Sequence, residues 1–245
     1  MIEKYWLFYL LALIAEIIGT ISGFGSSILF IPIASLFFDF KIVLGITAIF
    51  HIFSNLSKIY LFKNGIDKRI AIKMGIPAVI SVIIGALLTN LLPQKELEIM
   101  MSTAIFIVAI YLLFNSSKKL ADTNSNLIKG GLVSGFLAGL VGTGGAIRGL
   151  TLTAFGLEKN VFIATSALID LGVDTSRAIV YTANGYVHKE FLITLPFLLV
   201  ISLLGTWVGK IALKKIPQNW FKNIVLIIIL LTCLIKLLIY LFHNV

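Results

Sequence analysis

Ser22-Gly23-Phe24-Gly25-Ser26-Ser27 interrupts an apolar run that extends from Tyr5 to Phe38. A second cluster, Gly142-Thr143-Gly144-Gly145, interrupts the run from Leu127 to Gly156 in the same way. Each glycine weakens a helix by about 1 kcal/mol relative to alanine and accepts backbone dihedrals that other residues avoid. Both segments are therefore predicted to break in the middle, each as one interrupted crossing or as a hairpin that turns back.

The composition of the whole chain indicates where these segments lie. Of 245 residues, 59% are hydrophobic and 13% are charged, and the mean hydropathy is +1.05. Soluble domains carry roughly 25% charged residues, so the composition predicts an integral membrane protein surrounded by the lipid bilayer. The net charge of +9 then indicates membrane-flanking loops rather than nucleic-acid binding. The single cysteine, Cys233, excludes an intrachain disulfide and a thiol redox pair.

Long apolar runs predict the transmembrane helices, because a bilayer core of about 30 Å needs roughly 20 apolar residues in a helix. Three runs contain no Asp, Glu, Lys or Arg, and three more are predicted to cross although they carry charges. The six predicted crossings are Met74 to Gln94, Ile99 to Ser117, Phe191 to Gly209, Ile42 to Phe62, Phe162 to Ala183 and Asn219 to Phe242.

The distribution of Lys and Arg decides between the two forms of the broken segments. If both segments turn back, twelve of seventeen flanking cations fall on one face and five on the other, whereas two full crossings split them ten to seven. Cytoplasmic loops carry an excess of Lys and Arg, so hairpins are favoured. Both termini are then external, and the protein is predicted to lie in the cell (inner or plasma) membrane.

An internal repeat relates the two halves of the chain. A shift of 120 positions brings Gly85 onto Gly205, and a shift of 119 brings Asn55 onto Asp174. Each half contains one hairpin and three crossings, and an odd number of crossings makes the second half enter the membrane upside down. The predicted fold is an all-α polytopic transmembrane helix bundle of two inverted repeats, residues 1–115 and 127–245, joined by a polar linker at 116–126.

The paired breaks form the first candidate site. Inverted repeats with breaks at matching positions are typical of secondary transporters whose substrate binds near the midplane. The helix that resumes after each break points free N–H groups and a positive dipole end into the gap, which suits an anion. Close helix packing is the alternative explanation of the glycines. The candidate substrate-binding residues are Gly23, Gly25, Ser26, Ser27, Thr143, Gly144, Gly145 and Arg148.

Arg148 lies three residues beyond the second break, in an otherwise uncharged stretch. A cation at the centre of a membrane helix costs at least about 2.5 kcal/mol, so a partner is expected. The arginine fork suits a carboxylate, sulfite or sulfonate group of a substrate. An internal ion pair with Glu16 or Asp170 is the alternative, and an alternating mechanism accommodates both.

Two helices carry matching polar stripes, one in each half. Residues spaced i, i+4 and i+7 share a helix face, and a charged face must look into the bundle rather than towards lipid. An aspartate there is a candidate for proton uptake or cation binding, and structural pairing of Asp174 with Arg177 is the alternative. Glu16 is a further intramembrane acid, either a coupling carboxylate or a partner of Arg148. The stripes comprise His51, Asn55 and Lys58 in the first half and Asp170, Asp174 and Arg177 in the second.

These motifs resemble the TauE/SafE family of sulfite exporters and related anion transporters. The resemblance rests on the pattern from Gly19 to Pro32, its copy from Gly139 to Gly145, and the pairs Asn64-Gly65 and Asn184-Gly185. It covers nearly the whole chain and implies efflux of a small, sulfur-containing anion. It also implies a substrate-gap role for Gly23, Gly25, Gly144 and Gly145.

The predicted function is a secondary transporter that exports a small sulfur-containing anion (sulfite, a sulfonate or a thiocarboxylate) by alternating access coupled to protons. A passive anion channel is the alternative within transport, and a non-transport membrane protein is the alternative outside it. The sequence shows no Walker loop, no metal-ligand spacing and no compatible Ser/His pair. It therefore predicts no enzyme, no cofactor and no metal, and it leaves assembly into a homo-oligomer open.

Overall fold

A computed structural model of the chain describes residues 2–91, 121, 123–187 and 193–217, together with isolated positions between 92 and 122 and between 218 and 238. Over these ranges the regular structure is helical and includes no strand, as predicted for a membrane helix bundle. A 3-10 turn, Lys63–Gly65, joins the third helix to the fourth. The helices are α1 (Ile2–Ser22), α2 (Ser27–Ala34), α3 (Phe40–Leu61), α4 (Lys68–Leu88), α5 (Asn124–Val141), α6 (Gly145–Ala154), α7 (Lys159–Ala183) and α8 (Leu195–Lys214).

Four helices in the described ranges are long and apolar enough to cross a membrane: α1, α3, α4 and α8. The last three coincide largely with predicted crossings, and α7 covers the predicted crossing that carries the second polar stripe. α4 begins at Lys68, earlier than the uncharged run that predicted it. The reason is a cap, because the Asp67 carboxylate accepts a hydrogen bond from the Ile70 N–H (3.0 Å). The predicted crossings at 99–117 and 219–242 lie outside the continuously described residues.

The first broken segment turns back on itself. α1 leads from the N-terminal end to the break, and the chain after the break returns along it. Phe38 consequently lies beside both Tyr5 and Phe8, with ring centroids 5.2 and 5.1 Å apart. Phe8 also contacts Phe30 on α2, with centroids 5.7 Å apart. The two ends of the segment therefore lie together, and the glycine-rich break forms the tip of a hairpin.

The second broken segment has the same form. α6 returns along α5 and places Thr151 beside Gly130, where an added Cβ would lie 2.7 Å from the Thr151 methyl group. Nearer the turn, a Cβ on Gly144 would overlap the carbonyl oxygen of Ser134. Only glycine allows the returning chain to approach α5 this closely. Both broken segments thus adopt the hairpin form that the charge distribution favours.

The tips of the two hairpins meet inside the bundle. A Cβ on Gly145 would overlap the carbonyl oxygen of Phe24, so the two backbones touch at this point. The Ser27 hydroxyl donates a hydrogen bond to the Thr143 hydroxyl across the same junction (3.3 Å). Two breaks that are 120 residues apart in sequence are therefore neighbours in space.

Two helix contacts are equivalent under the repeat shift. Gly205 on α8 packs against Glu16 on α1, where an added Cβ would lie 2.8 Å from the Glu16 side chain. Gly85 on α4 packs in the same way against the backbone of Phe136 on α5. A shift of 120 positions brings Gly85 onto Gly205 and Glu16 onto Phe136. The two contacts are therefore the same contact with the halves exchanged. Each hairpin is thus held by a glycine from a long helix of the opposite half.

The outer surface of the bundle is apolar and its interior is polar. Ile72, Ile76 and Ile80 follow one face of α4, and each is between 56% and 57% exposed. The buried charged side chains Glu16, Lys58, Arg148, Asp174 and Arg177 lie instead around the hairpin tips. This distribution suits a protein whose solvent is hydrocarbon, because exposed isoleucines then face lipid and charges avoid it.

Candidate functional site

The backbone of the site comes from the two hairpin tips. Gly23, Gly25 and Gly142 have φ of +74°, +82° and +79°, which is the left-handed region that glycine enters without strain. α2 begins after Ser26 and α6 begins after Gly144, and no side chain caps either start. The first N–H groups of a helix point out of its N-terminal end, so both helices direct donors and positive dipole ends towards the junction of the tips.

Arg148 lies on α6, one turn beyond its start, and its side chain is 1% exposed. Its two terminal nitrogens contact both carboxylate oxygens of Asp170 on α7 in a bidentate ion pair. Its Nε donates to the Ser166 hydroxyl one turn earlier on α7 (2.9 Å). The internal partner of Arg148 is therefore Asp170, and the fork is filled by a carboxylate of the protein itself.

Arg177 forms a second buried ion pair on α7. Its Nε donates to Asp174 Oδ1 (2.7 Å), and its Nη1 donates to the carbonyl oxygen of Gly142 at the second hairpin tip. The other Asp174 oxygen accepts from the Asn55 amide on α3 (2.6 Å). Asn55 and Asp174 are repeat mates, so the stripes of the two halves bond to each other. This pair fastens α7, α3 and the second tip together.

Glu16 forms the third ion pair, and its partner is Lys58 on α3 rather than Arg148. The carboxylate is fully buried and accepts hydrogen bonds from four elements of the bundle. The donors are Lys58 Nζ (2.8 Å), Ser54 Oγ (2.6 Å), Thr206 Oγ1 (3.0 Å) and Thr20 Oγ1 (3.3 Å) to Oε1, and Ser26 Oγ (2.5 Å) to Oε2. With these donors, both oxygens are satisfied without a ligand.

His51 connects the second and third ion pairs. Its Nδ1 lies 3.2 Å from Arg177 Nη2, and because a guanidinium only donates, Nδ1 accepts. Nε2 then carries the proton and donates to the Ser26 hydroxyl (2.9 Å), which donates in turn to Glu16. This tautomer is assigned from the partners. A continuous hydrogen-bond chain therefore runs from Arg177 through the first hairpin tip to Glu16.

The three ion pairs surround a small cavity at the hairpin tips. The space open to the centre of a water molecule is about 10 Å³, enough for about one water. Asp170 lines this cavity, whereas its partner Arg148 does not. The lining residues are Gly25, Ser27, His51, Ser54, Asn55, Lys58, Ala138, Gly142, Gly144, Gly145, Asp170, Asp174 and Arg177.

Most residues predicted for the two candidate sites lie in one place. The glycine-rich breaks and the polar stripes, treated separately in the sequence, enclose the same cavity. Ser26 bonds to His51 and Glu16, outside the cavity lining, and Thr143 contributes its hydroxyl to the junction of the tips. Arg148 does not line the cavity, but it forms an ion pair with Asp170, which does.

Sequence reasoning missed four hydroxyl groups of this site: Thr20, Ser54, Ser166 and Thr206. Ser54 and Ser166 belong to the polar stripes, since Ser54 is one turn before Lys58 and Ser166 is one turn before Asp170. Extending the i, i+4 rule to hydroxyl side chains would have found both. Thr206 lies on α8 between Ser202 and Lys210, each one turn away, so the same rule marks its face, and its contact with Glu16 places it in this site.

Comparisons with known proteins agree with the resemblance seen in the sequence. The family described as sulfite exporter TauE/SafE matches residues 8–235. A protein of Methanocaldococcus jannaschii named as a probable membrane transporter protein is 26% identical over 231 residues, covering 85% of this chain and 85% of its own length. The match extends across both hairpins and all three buried ion pairs. The chain therefore belongs to the TauE/SafE sulfite exporter family of integral, multi-pass membrane transporters.

Proposed function

We propose that this protein exports a small sulfur-containing oxyanion, and that the anion binds in the cavity at the hairpin tips. One observation carries the proposal: two uncapped helix starts and two buried cations, Lys58 and Arg177, meet at a single cavity inside a membrane bundle, and a third cation, Arg148, is paired with the cavity residue Asp170. Helix N-termini and cations both attract anions. The family name supports sulfite or a related sulfur anion and supports export as the direction of transport.

Alternating access is the proposed mechanism, with the two halves as inverted repeats. The equivalent contacts Gly205–Glu16 and Gly85–Phe136 support this relationship, because exchange of the halves converts one into the other. The cavity has room for about one water molecule, so an oxyanion needs an opening movement to reach it. Rocking of one half against the other about the tip junction would open the cavity to each side in turn.

Proton coupling follows from the balance of charge. Among the described residues around the cavity, the cations Arg148, Arg177 and Lys58 are matched by the carboxylates Glu16, Asp170 and Asp174. An anion that enters adds a negative charge without a partner, which is costly in a medium of low dielectric. Uptake of a proton by one of the carboxylates would restore the balance.

Counterflow in proteoliposomes tests the proposed function. Vesicles loaded with unlabelled sulfite, methanesulfonate, thioacetate or succinate receive a trace of the matching labelled anion outside. We expect counterflow of the sulfur oxyanions and its loss in Arg148→Gln, because the neutral amide cannot replace the guanidinium fork. Lys73→Gln, which removes an exposed cation of α4, is the matched control and should keep wild-type counterflow.

The opposite results are equally informative. Wild-type counterflow in Arg148→Gln would remove this residue from the mechanism. Conductance far above carrier turnover, without counterflow, would indicate a passive anion channel instead. No counterflow of any tested anion by folded protein would contradict the proposed substrate class.

A further inference from the structure

Asp170 occupies the position that an oxyanion substrate would need. It offers two oxygens on one centre to the fork of Arg148, and it lines the cavity, which Arg148 does not. A substrate in the cavity therefore meets the Asp170 carboxylate before it meets Arg148. The carboxylate and the substrate oxyanion, each with two oxygens on one atom, then compete for one guanidinium.

Asp170 is also the acid that is least firmly held. Its side chain is 13% exposed, whereas Asp174 is 6% exposed and Glu16 is fully buried. The second oxygen of Asp174 accepts a hydrogen bond from Asn55 on another helix, and Glu16 accepts hydrogen bonds from residues of several helices. Among the described residues, Arg148 alone donates side-chain hydrogen bonds to the Asp170 carboxylate. Asp170 therefore breaks fewer hydrogen bonds than Asp174 or Glu16 would when it separates from its cation.

The charged groups around Asp170 decide which partners it has once it leaves Arg148. The nearest charged groups are Arg148 on α6, Asp174 and Arg177 on α7, and Lys58 on α3. His51 lines the same cavity, and the first hairpin presents Ser27 and Gly25, where an added Cβ would lie 3.8 Å from Asp170 Oδ2. Arg177 and Lys58 keep their own carboxylates, so a displaced Asp170 has no cation of its own.

We infer that Asp170 is an internal stand-in for the substrate, which an oxyanion displaces from Arg148 while Asp170 takes up the coupled proton. This inference rests on the proposed function and adds two properties to it. The substrate must present two oxygens on one atom, as sulfite, sulfonates and carboxylates do and chloride does not. One proton is bound for each anion, and the total charge of the site stays constant.

Proton uptake on anion binding tests the inference without a variant. Purified protein in a weak buffer near neutral pH is titrated with methanesulfonate, whose own charge does not change in this range. We expect about one proton taken up per anion bound. Chloride should bind much more weakly than methanesulfonate. Binding without proton uptake, or chloride binding of equal strength, would overturn the inference.

Two substitutions sharpen the test. Asp170→Asn removes the competing carboxylate, so methanesulfonate should bind roughly 10- to 100-fold more tightly and take up no proton. Asp170→Glu keeps a carboxylate and should keep proton uptake, which covers the case in which the Asn variant does not fold. Asp39→Asn, at an exposed helix start, is the control and should match wild type.

The results separate this inference from the proposed function. Weaker binding in folded Asp170→Asn would overturn the stand-in role, because Asp170 would then help to hold the substrate. If folded wild-type protein binds neither methanesulfonate nor sulfite nor acetate, the proposed function itself fails, and the inference fails with it. Methanesulfonate binding that disappears in Arg148→Gln, together with proton uptake, supports both.

Discussion

The Arg148–Asp170 and Arg177–Asp174 pairs have the same chemistry and different surroundings. Both are buried ion pairs that involve α7, and their carboxylates lie one turn apart. Arg177 also holds the Gly142 carbonyl and contacts His51, and Asp174 is held by Asn55. In the described part of the chain, the Arg148 side chain bonds only to the Ser166 hydroxyl besides its acid.

This difference separates a structural pair from an exchangeable one. A pair whose remaining donors and acceptors are all occupied by the protein stabilises one arrangement of helices. A pair that borders a cavity and has few further partners can be opened by a ligand. Two buried ion pairs of the same composition therefore have different roles, and the hydrogen bonds around each pair indicate which role it has.

The largest expected effect separates the two arginines by stability. Arg177→Gln leaves Asp174 buried without its cation and should lower the free energy of unfolding by about 3–5 kcal/mol. Arg148→Gln should cost less, since the Asp170 side chain is 13% exposed, against 6% for Asp174, and Asp170 can take up a proton. Reversible unfolding in mixed detergent micelles measures both. An equal loss of unfolding free energy in the two variants would contradict the distinction between a structural and an exchangeable pair.

A smaller effect is expected at the tip junction on which both pairs depend. Gly145→Ala forces a Cβ into the Phe24 carbonyl oxygen and should destabilise the protein by about 1–3 kcal/mol. Gly75→Ala on α4 is the matched control, because its Cβ would meet Ile169 at an ordinary 3.6 Å. That substitution should be neutral or stabilising by up to about 1 kcal/mol. Melting temperatures in detergent compare them, and a tolerated Gly145→Ala would argue against direct backbone contact of the tips.

The smallest effect concerns the link from the structural pair to Glu16. His51→Phe keeps a ring against Phe30 and Phe50, whose centroids lie 6.1 and 5.4 Å from the imidazole, and removes two hydrogen bonds. The expected loss is about 1–2 kcal/mol of unfolding free energy.

Ser26→Ala removes the same bond from the other side, so the double variant should lose less than the sum of the two single losses. Additive losses would show that His51 and Ser26 do not interact. The same unfolding assay serves all three proteins.

Much of the architecture could be predicted from local sequence patterns. The hairpins follow from glycine clusters inside apolar runs and from the uneven distribution of Lys and Arg. The polar stripes follow from the i, i+4 and i+7 spacing, which α3 and α7 confirm by presenting them to one cavity. These properties depend on neighbours within one or two helical turns, so a sequence displays them directly.

The partners of the buried charges could not be predicted in this way. Glu16 was open to pairing with Arg148, and it pairs with Lys58. Thr206 shares a helix face with Ser202 and Lys210, and nothing in that spacing indicates that its partner is Glu16. A pairing depends on the distance between residues that are tens or hundreds of positions apart, and several acids are always available to each cation.

By itself, the sequence determined that this chain is a helical membrane protein with two broken segments and a polar interior, because composition and periodicity act locally. Only the tertiary structure decided that both breaks and both stripes enclose one cavity. It also decided that Asp170, rather than a substrate, faces Arg148. The physical reason is that a buried charge is stabilised by the groups that folding brings within about 3 Å, and their identity emerges only when the helices pack.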